Sequence, residues 1–473
     1  MFDGVPSQTA SPPPSPRPNG GTEFLDLEGK SATDGGKLVA GGKLREKVES
    51  YGSQTPRTRK QIVAGNVQCF SLCFSYFLIG WNSGSTGPLL PRIQSAYGVS
   101  YVVVSLIFIL SCVGYLCGAF MNVWITDKLG FGKVLVLGAA LQIITYSVQS
   151  VGPPFAWFIF FNVVNGIGIA LQDSHGNGFV GSLTYSKATK RGIYHAAYGL
   201  GAFASPFVAT QFSHMNRWSF HYFTSLGLAV CNTFMQAIVF RFRDHSTCLL
   251  EGGENVHALA EGKDTGKLKQ IISHKAVHFL GFFVMIYYGV EVTIGRWIVT
   301  YIIDERHGGP NSGYISSGFF GGLTLGRVIL LPINKWLGEH RVFYIYALLS
   351  LGLELVIWFV PSLVGSVITV SVIGLLFGPI YPIAMNRAAR ILPPWILTGA
   401  MGWIGGFGTC GSALVPFITG AIAQKYGIKS LHPVLVVMMA LMVVFFALTS
   451  NERQEDTQEP LAGAAGETSG EKT

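Results

Sequence analysis

Twelve apolar stretches account for most of this chain, at roughly 62–92, 99–125, 132–151, 155–182, 192–213 and 219–241, then 276–303, 311–336, 341–361, 364–387, 396–424 and 430–450. A helix needs about 20 residues to cross a hydrocarbon core ~30 Å thick, so each stretch is long enough to span a bilayer. Inside that core every backbone N–H and C=O must be satisfied internally, which leaves the α-helix as the structure open to an isolated apolar stretch. Composition agrees. Of 473 residues 49% are apolar and only 12% charged, about half the usual charged share of a soluble domain. The sequence predicts an all-α membrane protein of 12 transmembrane helices, arranged as two pseudo-symmetric six-helix bundles.

The expected partition is a disordered tail over 1–61, a first six-helix bundle over 62–245, a polar central loop over 246–275, a second bundle over 276–450 and an acidic tail over 451–473. The first tail is rich in Pro, Gly, Ser and Lys and cannot bury a core. Its first twenty residues hold no apolar segment of the kind a cleavable signal needs, so entry into the membrane is expected from the spans. The seven cysteines, 69, 73, 112, 117, 231, 248 and 410, follow neither a disulfide framework nor CxxC spacing and read as small core residues.

Lys and Arg mark the sides of the membrane. With the first tail inside, the inner connections hold Lys128, Lys133, Lys187, Lys190, Arg191, Arg241, Arg243, Lys263, Lys267, Lys269 and Lys275, then Lys335, Arg341, Arg387 and Arg390. The outer ones hold Arg92, Arg217, Arg306, Lys425 and Lys429. Both termini are therefore expected in the cytoplasm. This one-sided distribution accounts for most of the net charge of +8 and needs no nucleic-acid partner.

The two halves repeat each other. Gly201-Ala-Phe-Ala-Ser-Pro206-Phe-Val in span five matches Gly411-Ser-Ala-Leu-Val-Pro416-Phe-Ile in span eleven, 210 residues on. Asp127-Lys128-Leu-Gly130 after span two matches Asn334-Lys335-Trp-Leu-Gly338 after span eight at nearly the same offset, and an offset of 208 carries Glu291 back onto Ser83. Parallel repeats around a central cavity are an arrangement that performs alternating access.

Charges inside spans are costly, roughly 2.5–3.5 kcal/mol at a helix centre, and usually face a bundle interior or a water-filled pathway. Span seven carries Glu291 near its middle and Arg296 five residues on, flanked by Gly289 and Gly295. The two lie ~140° apart around a helix and need separate partners. Arg296 either clamps an anionic substrate with its planar fork or is structural, paired with Asp173 or Asp304 or snorkelling to the surface; the structural reading is the one favoured here. Span four carries a polar stripe of Asn162, Asn165, Gln172, Asp173 and Gly176, which must face protein or water. For Asn162 and Asn165 interhelical bonding and solute contact are weighed equally. For Asp173 the functional reading is preferred, because low dielectric disfavours a charged carboxylate and lets protonation follow a pH gradient. Arg327 and Glu354 sit at similar depth on consecutive spans and are expected to form a structural ion pair. Trp81, Tyr198, Tyr288, Trp297, Tyr381 and Trp403 are candidates to stack on a solute ring, with packing the competing reading. His175 and His195 read as satisfied core histidines.

The loop Asp127-Lys128-Leu-Gly-Phe-Gly-Lys133 resembles the signature loop of the major facilitator superfamily, which makes Asp127, Lys128 and Lys133 candidate gating residues. More narrowly, Gly80-Trp-Asn-Ser-Gly-Ser-Thr-Gly-Pro-Leu-Leu-Pro91, Gly199-Leu-Gly-Ala-Phe-Ala-Ser-Pro206, Gly289-Val-Glu-Val-Thr-Ile-Gly-Arg-Trp297 and Gly378-Pro-Ile-Tyr-Pro382 resemble fungal relatives of the bacterial fucose permease, a sugar:proton symporter. The resemblance covers about 62–450. It implies the twelve-helix facilitator fold and, through Gly176-Asn177-Gly178-Phe179-Val180, places Asp173 at the position that serves proton coupling. It also implies an acidic residue in span one. This chain has Gly87 at that position, and Ser83 where fungal relatives carry Asp. Either Asp173 and Glu291 carry coupling between them, or the protein is a uniporter.

Other classes fit poorly. Gly262-Lys-Asp-Thr-Gly-Lys267-Leu268 lacks the spacing and the Ser/Thr of a phosphate-cradling loop, and no HExxH motif or Ser/His/Asp arrangement suggests an enzyme. No cofactor or metal is expected. The reading is a transporter moving a small polar solute, hexoses first, by alternating access with protons as the expected co-substrate. Uniport, an organic-anion carrier using Arg296, or a channel are the alternatives. Proton coupling is assigned to Asp173 and Glu291, and solute contact to Trp81, Asn82, Asn162, Asn165, Gln172, Asn177, Tyr198, Tyr288, Arg296, Trp297, Tyr381 and Trp403. A monomer in the plasma membrane, with a vacuolar or other endomembrane as the second choice, completes the expectation.

Overall fold

The computed structural model describes residues 57–254 and 267–455. Most of the expected first tail, the middle of the central loop with Lys263, most of the near-phosphate-loop segment, and the acidic tail beyond 455 lie outside the described residues. Among the described residues, six helical rods precede the central connection. They are α1 (Arg59–Tyr97), α2 (Tyr101–Leu129), α3 (Phe131–Ser150), α4 (Phe155–Ser182), α5 (Lys187–Ser213) and α6 (His221–Phe240). Among the described residues of the connection, which the sequence predicted as loop, are two short helices, α7 (His245–Glu251) and α8 (Lys267–Ser273). The second set is α9 (Lys275–Arg306), α10 (Tyr314–Ile329) with α11 (Leu331–Leu337), α12 (Glu339–Phe359), α13 (Leu363–Phe377) with α14 (Ile380–Ile391), α15 (Pro394–Tyr426) and α16 (Leu431–Glu455).

Local chemistry sets the ends of the first rod. Thr58 caps α1 by accepting from the Gln61 amide at 3.3 Å while the Gln61 side chain accepts from the Thr58 amide at 2.9 Å, a reciprocal capping box. Gly98, at φ 61°, ends the rod in the left-handed region that glycine enters without a Cβ penalty.

Among the described residues, ten helices are long and apolar enough to cross a membrane, or eleven if α10 and α11, bent by 53°, count with the preceding turn as one span. The twelfth predicted span is α5, which is 27 residues long but carries Lys187, Lys190, Arg191 and His195 in its first third. Protein rather than lipid covers much of it, because α5 packs along α1 and also along α10. The lipid-facing belt is read from large apolar side chains left bare, such as Phe120 (81% exposed) and Trp336 (82%).

The repeat in the sequence recurs in the packing. α1 lies along α5 as α9 lies along α15, and α2 along α4 as α10 along α13. A Cβ at Gly114 would stand 2.1 Å from the Val163 carbonyl oxygen, and one at Gly322, 208 residues on, 2.2 Å from that of Ser371. Helix backbones touch at both places, the close approach that small residues permit in membranes. Gly130 and Gly338, again 208 apart, break α2 from α3 and α11 from α12 at φ 81° and 82°.

One expected ion pair is absent. Glu354 does not meet Arg327; its Oε1 lies 2.6 Å from His432 Nδ1, with both side chains buried. The expectation assumed that consecutive spans are neighbours. α10 instead packs on α13 and α5, while α12 packs on α13 and α16. Arg327 consequently faces α9.

Candidate functional site

The close approach of α2 and α4 at Gly114 and Gly118 brings Tyr115 beside Asp173. The Tyr115 hydroxyl donates to Asp173 Oδ2 at 2.6 Å, and the Asn177 amide donates to Oδ1 at 2.7 Å. Neither partner carries charge, and Asp173 stays partly exposed although it lies nine residues inside the end of α4. Around it stand Tyr194, whose hydroxyl a Cβ at Gly176 would strike at 2.3 Å, and Tyr76, stacked on Tyr194 with ring centroids 4.1 Å apart.

The facing half supplies a second cluster. Glu291 is 3% exposed and its Oε2 has no hydrogen-bond partner among the described residues. Arg327 lies in electrostatic reach of it without contact, and Tyr287 stands beside both. The Tyr287 hydroxyl donates to the Phe377 carbonyl at 3.3 Å. Tyr288 and Tyr381 meet edge to face at 5.3 Å. Tyr76 and Tyr198, 5.4 Å apart on the first half, link the clusters. Tyr76 interacts with Asp173, Tyr381 and Arg327, and Tyr198 with Glu291 and Arg296.

Arg296 has none of the partners expected of a structural role. Its guanidinium stands 4.5 Å above the Phe108 ring of α2. Asp304 accepts from the Tyr101 hydroxyl at 2.7 Å, and Asp173 is held as described. Its Nε is buried without a hydrogen bond, so it does not snorkel to the surface.

Several predicted solute contacts are turned into helix packing. Trp81 donates to Ser225 Oγ at 3.1 Å and stacks on His221, and Trp297 is fully buried and donates to the Pro416 carbonyl at 2.9 Å. Gln172 accepts from Ser75 at 2.9 Å inside the first half. Asn162 bonds the Phe158 carbonyl of its own helix at 2.9 Å, while Asn165 and Asn82 gather around the Tyr146 hydroxyl. Trp403 packs 6.4 Å from His278 with its indole N–H unpartnered among the described residues. In the signature loop Asp127 and Lys133 are exposed, and Lys128 sits 3.8 Å over Trp124. His175 is satisfied by the Leu171 carbonyl and Thr126, whereas His195 sits edge-on to Tyr76 and Tyr194. All seven cysteines are free, but Cys117 and Cys231 are exposed rather than in the core.

Sequence reasoning passed over Tyr76, Tyr115 and Tyr194 and read Arg327 as structural. The available signal was a phenol one residue after Gly114, where two backbones touch.

The halves meet at one end. Tyr101 N–H donates to Gln424 Oε1 at 3.0 Å, its hydroxyl bonds Asp304, Gln211 bonds Tyr314, and His214 bonds the Pro310 carbonyl. These residues belong to or flank the 98–100, 214–220, 307–313 and 427–430 connections. At the opposite end α14 packs only within its own half among the principal helix contacts. The site thus lies between two halves that are bonded to each other at the end bearing these four connections.

Such a fold, with polar groups facing each other across two apolar halves, defines a polytopic membrane transporter. The family model for the Major Facilitator Superfamily matches residues 72–386, and the chain belongs to that superfamily, whose members are transporters rather than enzymes. Bypass of stop codon protein 6 of Saccharomyces cerevisiae is 25% identical over 428 residues, 85% of each chain. Among solved structures, a bacterial homologue of the human lysosomal transporter Spinster, inward-facing and unoccupied, superposes with a TM-score of 0.68 at 12% identity, over 85% of this chain and 99% of that one. The nucleoside transporter NupG gives 0.64 at 12% identity, over 81% and 99%. A D-xylose–proton symporter gives 0.64 at 10%, over 80% and 96%. These three likenesses establish the fold.

Proposed function

We propose that this transporter is a proton-coupled symporter of a small polar solute, working by alternating access as a monomer, with 62–245 and 276–450 moving as two bundles. The observation that carries the reading is Asp173, a partly exposed carboxylate deep between the halves whose partners, Tyr115 and Asn177, are both neutral. A carboxylate without a cation in low dielectric is cheapest when protonated. It can therefore take a proton from the side to which the site is open and release it on the other. Glu291, with Arg327 nearby, serves solute binding and can share the coupling.

The resemblance to fungal relatives of the fucose permease supports a sugar-like solute, as do the phenols of Tyr198, Tyr288 and Tyr381. The one-sided distribution of Lys and Arg supports cytoplasmic termini, so in this reading the end at which the halves are bonded faces away from the cytoplasm, as in an inward-facing state. The plasma membrane is the proposed location. Uptake into liposomes holding the purified protein should saturate with solute and rise when the outside is acidified. Saturable uptake indifferent to the pH gradient would make the protein a uniporter instead.

A further inference from the structure

We propose that Arg296 is the recognition group for a carboxylate on the transported solute, so that the cargo is a hydroxylated monocarboxylic acid that crosses with one proton as an electrically neutral pair. The proposal deepens the reading of Asp173 as the proton site and rests on it for the proton. Every acid that could answer Arg296 within the described interior is engaged elsewhere. Asp173 is held by Tyr115 and Asn177, Glu354 by His432, and Asp304 by Tyr101. Glu291 lies beside Arg327 and Tyr287, and no carboxylate is in electrostatic reach of Arg296.

The guanidinium is not merely stranded on its own helix. It crosses the interface between halves, resting on Phe108 with Cys112 and Tyr198 nearby, all three from the first half. Buried charges at this depth are retained when they pair or mark a pathway, and here the protein supplies no pair. The fork of an arginine fits a carboxylate with two parallel hydrogen bonds. Charge bookkeeping then limits the ligand. Glu291 and Arg327 sum to zero, protonated Asp173 adds nothing, and Arg191 acts on Tyr381 and His195 rather than on the groups around Arg296, so one positive charge is left to be met beside Phe108. A monocarboxylate meets it. Tyr198 interacts with both Arg296 and Glu291, which places a phenol between the anion site and the rest of the cleft. Tyr288 and Tyr381 supply further ring faces and hydroxyls suited to a hydroxylated carbon frame.

The test compares matched solutes that differ only in the carboxylate, D-glucose with D-glucuronate and D-galactose with D-galacturonate, using the full chain in liposomes. Counterflow without a pH gradient needs no proton coupling and reads recognition alone. At least one acid should exchange, and should raise the unfolding temperature in detergent, at concentrations at least tenfold below its neutral twin. Arg296→Gln should abolish that preference and weaken the acid by tenfold or more, and Arg296→Lys should keep part of it. Uptake of the acid driven by a pH gradient should not change when potassium and valinomycin set a membrane potential. Equal use of the neutral hexoses, retention of the preference in Arg296→Gln, or exchange of neither acid would overturn the assignment. An Arg296→Gln chain too unstable to assay leaves Arg296→Lys to decide, since an unchanged acid-to-hexose ratio there also overturns it. If the acid exchanges but never accumulates with protons, the proton reading of Asp173 fails while the role of Arg296 stands.

Discussion

Glu354 and His432 meet at 2.6 Å across α12 and α16, both almost fully buried. Glu354 thus has its partner without Arg327. Each single change, Glu354→Leu or His432→Leu, leaves a buried polar group orphaned and should cost about 1–3 kcal/mol. The double variant should recover much of that loss in thermal unfolding. Glu354→Leu combined with Arg327→Leu should be additive within about 0.5 kcal/mol; strong coupling there would return Glu354 to Arg327.

Glu291 and Arg327 face each other from α9 and α10 with Tyr287 beside them. Neutralising either one strands a charge in the core of the membrane. Solute affinity in Glu291→Gln and Arg327→Gln should therefore show a coupling of about 0.5–3 kcal/mol in a double-mutant cycle. Independent effects would mean that the two residues serve separate sites.

The third prediction concerns the side of the molecule bearing α7. Glu254 is 4% exposed; it accepts from the Thr184 and Tyr185 amides at 2.6 and 3.2 Å, and Lys190 Nζ lies 3.5 Å away. Burial pushes its carboxyl upward, but the hydrogen bonds from Thr184 and Tyr185 and the Lys190 charge outweigh burial and hold it below the ordinary 4.5. A depressed native value means that the contact stabilises fully above the unfolded value and fades as pH falls through the native one. Hydrogen exchange at Thr184 and Tyr185, corrected for its intrinsic pH dependence, should be slow at pH 7 and accelerate only once the pH has fallen below the ordinary 4.5. Glu254→Gln should speed it at pH 7. Protection unchanged by acid or by that substitution would contradict the role given to Glu254.

The rods were legible because hydrophobic length alone calls for them, and the repeat because Gly201/Gly411 and Pro206/Pro416 keep one spacing. Asp173 was legible for the same kind of reason, as a charge where hydropathy has no use for one. Partners were harder. Neighbours along the chain are not always neighbours in the bundle, so Arg327 was matched to the wrong acid, and polar aromatic residues such as Trp81 and Trp297 gave no sign of whether their N–H would meet solute or a facing helix. Tyr115 was missed because its value lies in a contact with α4 that only the Gly114 approach creates.

The central claim is that Asp173 carries the coupled proton, and Asp173→Asn tests it most directly by imitating the protonated form at every pH. In liposomes loaded with solute, the variant should keep counterflow within a few-fold of wild type while losing all accumulation driven by an inward proton gradient. Accumulation against the solute gradient by Asp173→Asn, at wild-type pH dependence, would contradict the account and move coupling to Glu291 or remove it altogether.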